Sequence, residues 1–205
     1  MIVCDRHGFV FVHVQKTGGS SITKLLMKQL QPEERRSVAP RHSPLSVILR
    51  REPRLSDYFV FGFVRDPWDR MVSWFNMIDF YRRRYQEQGR PFEENGNPFW
   101  VRCAQYQDFE EFVLRGTEEL PRLRRPQIGY LRTRDRKADF IGRTENLSED
   151  TARALQHIGL EAPPVGVFKK GHQERDSYRS YYTPASRRRI EEVFAKDLTA
   201  FGYRF

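Results

Sequence analysis

Apolar positions along the chain fall into two periods. Phe9-Val10-Phe11-Val12 is a continuous aromatic and β-branched run, the pattern of a strand buried on both faces. Beyond it Ile22, Leu25, Leu26 and Leu30 recur at helical spacing. Tyr58 to Val64 is a second buried-strand run, and it leads into a helical stretch over 67–87 that is aromatic early and arginine-rich late. Asp66 is its predicted N-cap, Pro67 its first residue and Asp69 the acidic third position of a capping box. A connector over 31–57 carries a short helical piece near 44–51. Residues 88–98 are a loop broken by Gly89, Pro91, Gly96 and Pro98. A short helix capped by Asp108 runs to Leu114, and Ala138 to Ile141 is a short strand. Ser148 is the predicted cap of a helix through Ile158, stopped by Gly159 and Pro163-Pro164. A basic loop fills 165–183. One last helix spans 184–201, with Ile190, Val193, Phe194, Leu198 and Phe201 on its apolar face. Strands alternating with helices predict an α/β fold, a parallel sheet flanked by helices, and 205 residues suit one domain over 1–205.

The chemistry concentrates where the first strand meets the first helix. The turn reads His13-Val14-Gln15-Lys16-Thr17-Gly18-Gly19-Ser20-Ser21. Amides at a helix N-terminus lack intrahelical partners and carry partial positive charge. Glycines let the backbone approach an anion, and the hydroxyls of Thr17, Ser20 and Ser21 add donors, so the turn is an oxyanion cradle suited to phosphate. It is not a Walker A loop, whose lysine follows the second glycine; here Lys16 precedes both. At the end of the second strand stands Arg65, where open α/β sheets bind ligands, and Ser73 lies about two turns into the next helix. Arg65 and Ser73 are candidates for a second phosphate.

Two segments, Phe11-Val12-His13-Val14-Gln15-Lys16-Thr17-Gly18-Gly19-Ser20-Ser21 and Phe61-Gly62-Phe63-Val64-Arg65-Asp66-Pro67-Trp68-Asp69-Arg70-Met71-Val72-Ser73, together resemble the 5′-phosphosulfate loop and 3′-phosphate motif of a known family. That family is the sulfotransferases that use 3′-phosphoadenosine 5′-phosphosulfate (PAPS), of the carbohydrate, heparan sulfate 2-O-sulfotransferase-like type. Asp139-Phe140-Ile141-Gly142-Arg143-Thr144-Glu145-Asn146-Leu147 and the tail from Tyr178 to Tyr203 are similar to family segments too. Gln15 stands where the family usually has proline, Thr144 replaces an aromatic residue, and Leu123 to Gln127 lacks a histidine common in relatives.

The resemblance implies a P-loop-like sulfotransferase fold and in-line transfer of a sulfonate from PAPS to an acceptor hydroxyl, leaving adenosine 3′,5′-bisphosphate (PAP). Lys16 is then expected to stabilise the leaving oxygen. Thr17, Gly18, Gly19, Ser20 and Ser21 would hold the 5′-phosphate, and Arg65 and Ser73 the 3′-phosphate. His42, titrating near neutrality, is the candidate base. His13, within the first strand, is read as structural, and Glu145 as a helix-start carboxylate. The segment Lys169-Lys170-Gly171-His172-Gln173-Glu174-Arg175 resembles a loop closing over the nucleotide, with Arg175 a candidate phosphate contact. Trp74, Phe75, Phe80, Tyr81, Phe99 and Trp100 offer rings for an acceptor cleft, with core packing the stronger expectation for Trp74 and Phe75. The acceptor is expected to be a glycan or other small molecule bearing a hydroxyl.

Composition refines this picture. A net charge of +9 favours anionic partners. Interleaved acids and the lack of a base-reading motif argue against a nucleic-acid module. Only Cys4 and Cys103 occur, with no zinc spacing, so no metal is expected. Two separated thiols suggest a reducing compartment, and no apolar run reaches membrane-span length, so a cytoplasmic protein without a transmembrane segment is expected. The alternative function is a P-loop-like nucleotide-dependent kinase, which the position of Lys16 disfavours. Acceptor identity and oligomeric state stay open.

Overall fold

The structure, a computed structural model, describes residues 1–162 and 177–205. The predicted Pro163-Pro164 stop and the segment from Lys169 to Arg175 lie outside the described residues. The described chain falls into two compact units, 1–66 with 127–162, and 67–126 with 177–205.

The first unit is built on a sheet of four strands in sequence order, β1 (Ile2–Cys4), β2 (Phe9–Val12), β3 (Phe59–Val64) and β4 (Phe140–Arg143). β2, β3 and β4 pair in parallel, Phe9 opposite Phe59 and Phe61 opposite Phe140. The sheet is mixed rather than wholly parallel, because β1 pairs antiparallel with β2 through a tight turn in which Gly8 takes a φ of +59°. Three residues are too few to show a strand period, which hid β1 in the sequence. Alternation sorts the faces. Phe9, Phe11, Phe61 and Phe63 face α1 (Gly19–Gln29) and α7 (Leu147–His157), where Ile22, Leu26, Ala154 and Leu155 complete a dry core. On the opposite face Gly62 lies under α6 (Ile128–Leu131), and a Cβ there would come within 2.4 Å of Leu131 Cδ2. The short helix expected in the connector is α2 (Leu45–Arg51). α7 begins one residue before Ser148, so Ser148 is inside the helix and not its cap. The strand expected over 138–141 sits two residues later, its position fixed by pairing with β3.

The second unit has its own core around α3 (Pro67–Glu87), whose Trp68, Met71, Val72, Trp74 and Ile78 are buried. Pro67 opens α3, as expected. α4 (Pro98–Cys103) follows, then α5 (Phe109–Glu119), where the Asp108 carboxylate accepts from the Glu111 amide at 2.8 Å. The cap is the one expected, but the helix runs five residues beyond Leu114. The last predicted helix is two: α8 (Pro184–Val193) and α9 (Ala195–Phe201) meet at Phe194, which leaves helical dihedrals (φ −109°, ψ 22°). The Asp197 amide donates to Phe194 O at 2.8 Å, a three-residue turn that bends the chain while the Phe194 ring stays fully buried. Trp74 and Phe99 meet edge to face, and Phe75 packs on Phe109 and Phe112. Trp74 therefore belongs to the core and the partly buried Phe75 and Phe99 pack against it, whereas Phe80 is exposed.

Candidate active site

The parallel register of β2 and β3 brings the C-terminal tips of the two strands side by side, Val12 opposite Gly62. Lys16 lies four residues past one tip and Arg65 one residue past the other. The two cations converge. Burial, and then the nearby Arg65 guanidinium, lower the Lys16 ammonium from its ordinary value to about 8. Lys16 also holds a left-handed φ of +66°, the one such non-glycine residue among those described. This conformation costs on the order of 1–2 kcal/mol and puts strain at the centre of the loop.

The loop enters α1 through Gly18, itself left-handed at φ +78°, which lets the first-turn amides of Gly19 and Ser20 face outward without intrahelical carbonyl partners. Glycine is required at 19 because the His13 imidazole lies where a side chain would begin; a Cβ would be 2.3 Å from His13 Cδ2. The Thr17 side chain is buried and its hydroxyl donates to Val14 O at 3.0 Å. That single proton braces the loop, so Thr17 can offer an incoming anion its backbone amide and not its hydroxyl. Ser20 and Ser21 are exposed on the first turn.

His42 joins the same cluster. Its Nδ1 is 3.0 Å from His13 O, and its ring meets the His13 ring edge to face at 4.5 Å. A carbonyl only accepts, so His42 Nδ1 carries the proton and Nε2 is its basic nitrogen. His13 is buried, as expected, and burial followed by the charges of its neighbours depresses it to about 2, keeping the ring neutral.

The backbone that carries Arg65 is held by three side chains whose part the sequence did not reveal. Gln127, fully buried, clamps the Arg65 peptide from both sides: its Oε1 accepts from Arg65 N at 2.9 Å and its Nε2 donates to Arg65 O at 2.7 Å. The Thr144 hydroxyl donates to Val64 O at 3.0 Å, and Glu145 Oε1 accepts from Asp66 N at 2.7 Å. Glu145 is thus structural, at the start of its helical turn, and it also secures the Arg65 turn. These partners are about 60 to 80 residues away in sequence, and no local pattern links them. Ser73 belongs to the second unit, partly buried on α3. Among the described residues no group of His, Cys, Asp and Glu is arranged to hold a metal ion.

In structure the chain is similar to mouse sulfotransferase SULT7A1, solved as a complex with PAP, with a TM-score of 0.50 and 14% identity over 95% of this chain and 86% of that one. In sequence it is 26% identical to carbohydrate sulfotransferase 12 of Xenopus laevis over 99% of this chain and 60% of that protein. It is 24% identical to carbohydrate sulfotransferase 10 of Gallus gallus over 100% of this chain and 66% of that protein. The chain thus spans a little under two thirds of the length of these curated relatives. Residues 1–204 match the profile of the sulfotransferase family, and the chain belongs to that family.

Proposed function

We propose that this protein transfers a sulfonate from PAPS to a hydroxyl of a carbohydrate. The observation that carries the proposal is the convergence of the Lys16 and Arg65 cations at neighbouring strand tips, beside the outward amides of α1. That donor set fits a nucleotide with phosphates at two positions: amides and an ammonium on one turn, a planar guanidinium on the other. The names of the two curated relatives support the carbohydrate acceptor. Ser73 is assigned to the 3′-phosphate on sequence grounds alone. A cytoplasmic location is part of the proposal, resting on two free, buried cysteines; fractionation of cells checks it, and recovery from a secretory compartment would reject it.

When bound, the donor supplies a sulfonate on an activated phosphate oxygen. The rest falls to the chain's own groups. Lys16 places positive charge where a phosphate oxygen becomes anionic as its bond to sulfur breaks. Arg65 and Ser73 read the 3′-phosphate, the group that separates this donor from ATP. His42 Nε2 takes the acceptor proton as the new oxygen–sulfur bond forms. A kinase would need its lysine after the second glycine of the loop, where this chain has Ser20.

Titration calorimetry tests the donor assignment. Wild type is expected to bind PAP much more tightly than ATP. Arg65→Ala should weaken PAP about 10–100-fold, the loss of one charge-assisted contact, and leave adenosine 5′-monophosphate little changed. Equal wild-type affinity for PAP and ATP rejects the proposal. For the base, His42→Ala should lower turnover by about 100–10,000-fold while PAP affinity is retained; unchanged turnover removes His42 from the mechanism. Acceptors are found by incubating glycan extracts with enzyme and PAPS and searching for products heavier by one SO₃ unit.

A further inference from the structure

Arg41, the residue before His42, is exposed, yet its side chain is fixed against the loop. Its Nε donates to His13 Nδ1 at 3.2 Å and its Nη2 donates to Ser20 Oγ at 3.0 Å. Both acceptors are neutral. Elsewhere in this unit Arg36 and Arg54 are answered by Asp5 and Glu52, but among the described residues Arg41 pairs with no carboxylate.

A guanidinium has five N–H donors, and these two bonds use two of them. Holding so long a side chain still costs rotamer freedom, and two bonds to neutral groups return little beyond what water would give. The arrangement makes sense as preparation for an anion. Its position says which one, because Ser20 is in the first turn of α1, within the cradle assigned to the 5′-phosphate, while Arg65 stands at the other strand tip.

We infer that Arg41 is a further donor-binding residue, a guanidinium that reaches the 5′-phosphosulfate end of the nucleotide from the Ser20 side of the loop. The inference rests on the donor assignment above. His13 is its positioning residue: the ring accepts from Arg41, and this works only while His13 is neutral, which its burial secures. The same residue holds the candidate base through its carbonyl, so donor contact and base share one anchor.

The test compares PAP with adenosine 3′-monophosphate, which lacks the 5′ group, by calorimetry on wild type, Arg41→Ala and Arg41→Lys. Arg41→Ala is expected to weaken PAP about 10-fold or more and to leave adenosine 3′-monophosphate unchanged, with Arg41→Lys between wild type and Arg41→Ala for PAP. Scanning calorimetry should show Tm close to wild type for both variants, since the side chain is exposed. A merely general effect of removing one positive charge would weaken both nucleotides alike, and that result overturns the inference. Unchanged PAP affinity in Arg41→Ala overturns it too. Failure of wild type to bind PAP is a different pattern: it rejects the donor assignment and this inference with it.

Discussion

Lys16→Ala is expected to lower turnover about 100–1,000-fold, the usual effect of removing one group that stabilises a developing oxyanion. Little stability should be lost, because the side chain is a cation held in a partly buried place beside another cation. Its position adds a pH signature with two opposite slopes. In the folded, ligand-free protein the ammonium titrates at about 8, against an ordinary value of 10.5. Between these values the unfolded chain binds more protons than the folded one, so stability rises with pH from about 8 to about 10.5. Donor affinity goes the other way. An anion beside Lys16 favours the charged form and raises its titration point in the complex. Affinity for PAP is therefore flat from about pH 7 to about pH 8, where its phosphates are already ionised, and falls above that, as the free protein loses the proton the complex needs. Lys16→Met should remove both slopes at once. Turnover near wild type in Lys16→Ala, or a PAP affinity that stays level through pH 9.5 in wild type, would remove Lys16 from the donor site.

Gly19→Ala carries the second large effect, and it comes from packing. The added Cβ would stand 2.3 Å from His13 Cδ2 and 2.5 Å from His13 Nε2. The imidazole has no easy retreat: the Phe11 ring lies at 5.7 Å, the His42 ring at 4.5 Å, and Arg41 is bonded to Nδ1. Overpacking of this kind costs about 1–3 kcal/mol, and in a chain of this size each kcal/mol lowers Tm by about 2–4 °C. Turnover should fall further than the folded fraction, because a displaced His13 shifts both Arg41 and His42. Gly129→Ala is the control: nothing lies within 4 Å of its Cβ position, so Tm should stay within about a degree. The idea fails if Gly19→Ala matches wild type in both Tm and turnover.

Much of the fold was legible because its signals are local. The runs 9–12 and 58–64 read as buried strands, the second forming from Phe59, since both faces of each are covered, and Pro67 and Asp108 marked helix starts through their own backbone chemistry. Failures arose where distant contacts override a local pattern. The apolar face over 190–201 continues at helical spacing through Phe194, and only the buried ring shows why the helix breaks there. At Thr17 the structure adds a local brace that residue type alone does not show, its hydroxyl donating to Val14 O three residues back.

The sequence alone determined the glycine-bearing turn with its lysine, the arginine at a strand end and the family these resemble, because residue type and spacing within two strand–turn–helix segments carry the resemblance. Only the tertiary structure decided which nitrogen of His42 is basic, that Arg41 stands fixed beside Ser20, and that Gln127, Thr144 and Glu145 hold the turn bearing Arg65. The physical reason is range. A helix cap or a glycine turn is settled within a few residues, whereas the direction of a proton or a guanidinium is set by whatever polar atom folding brings within 3 Å or so of it.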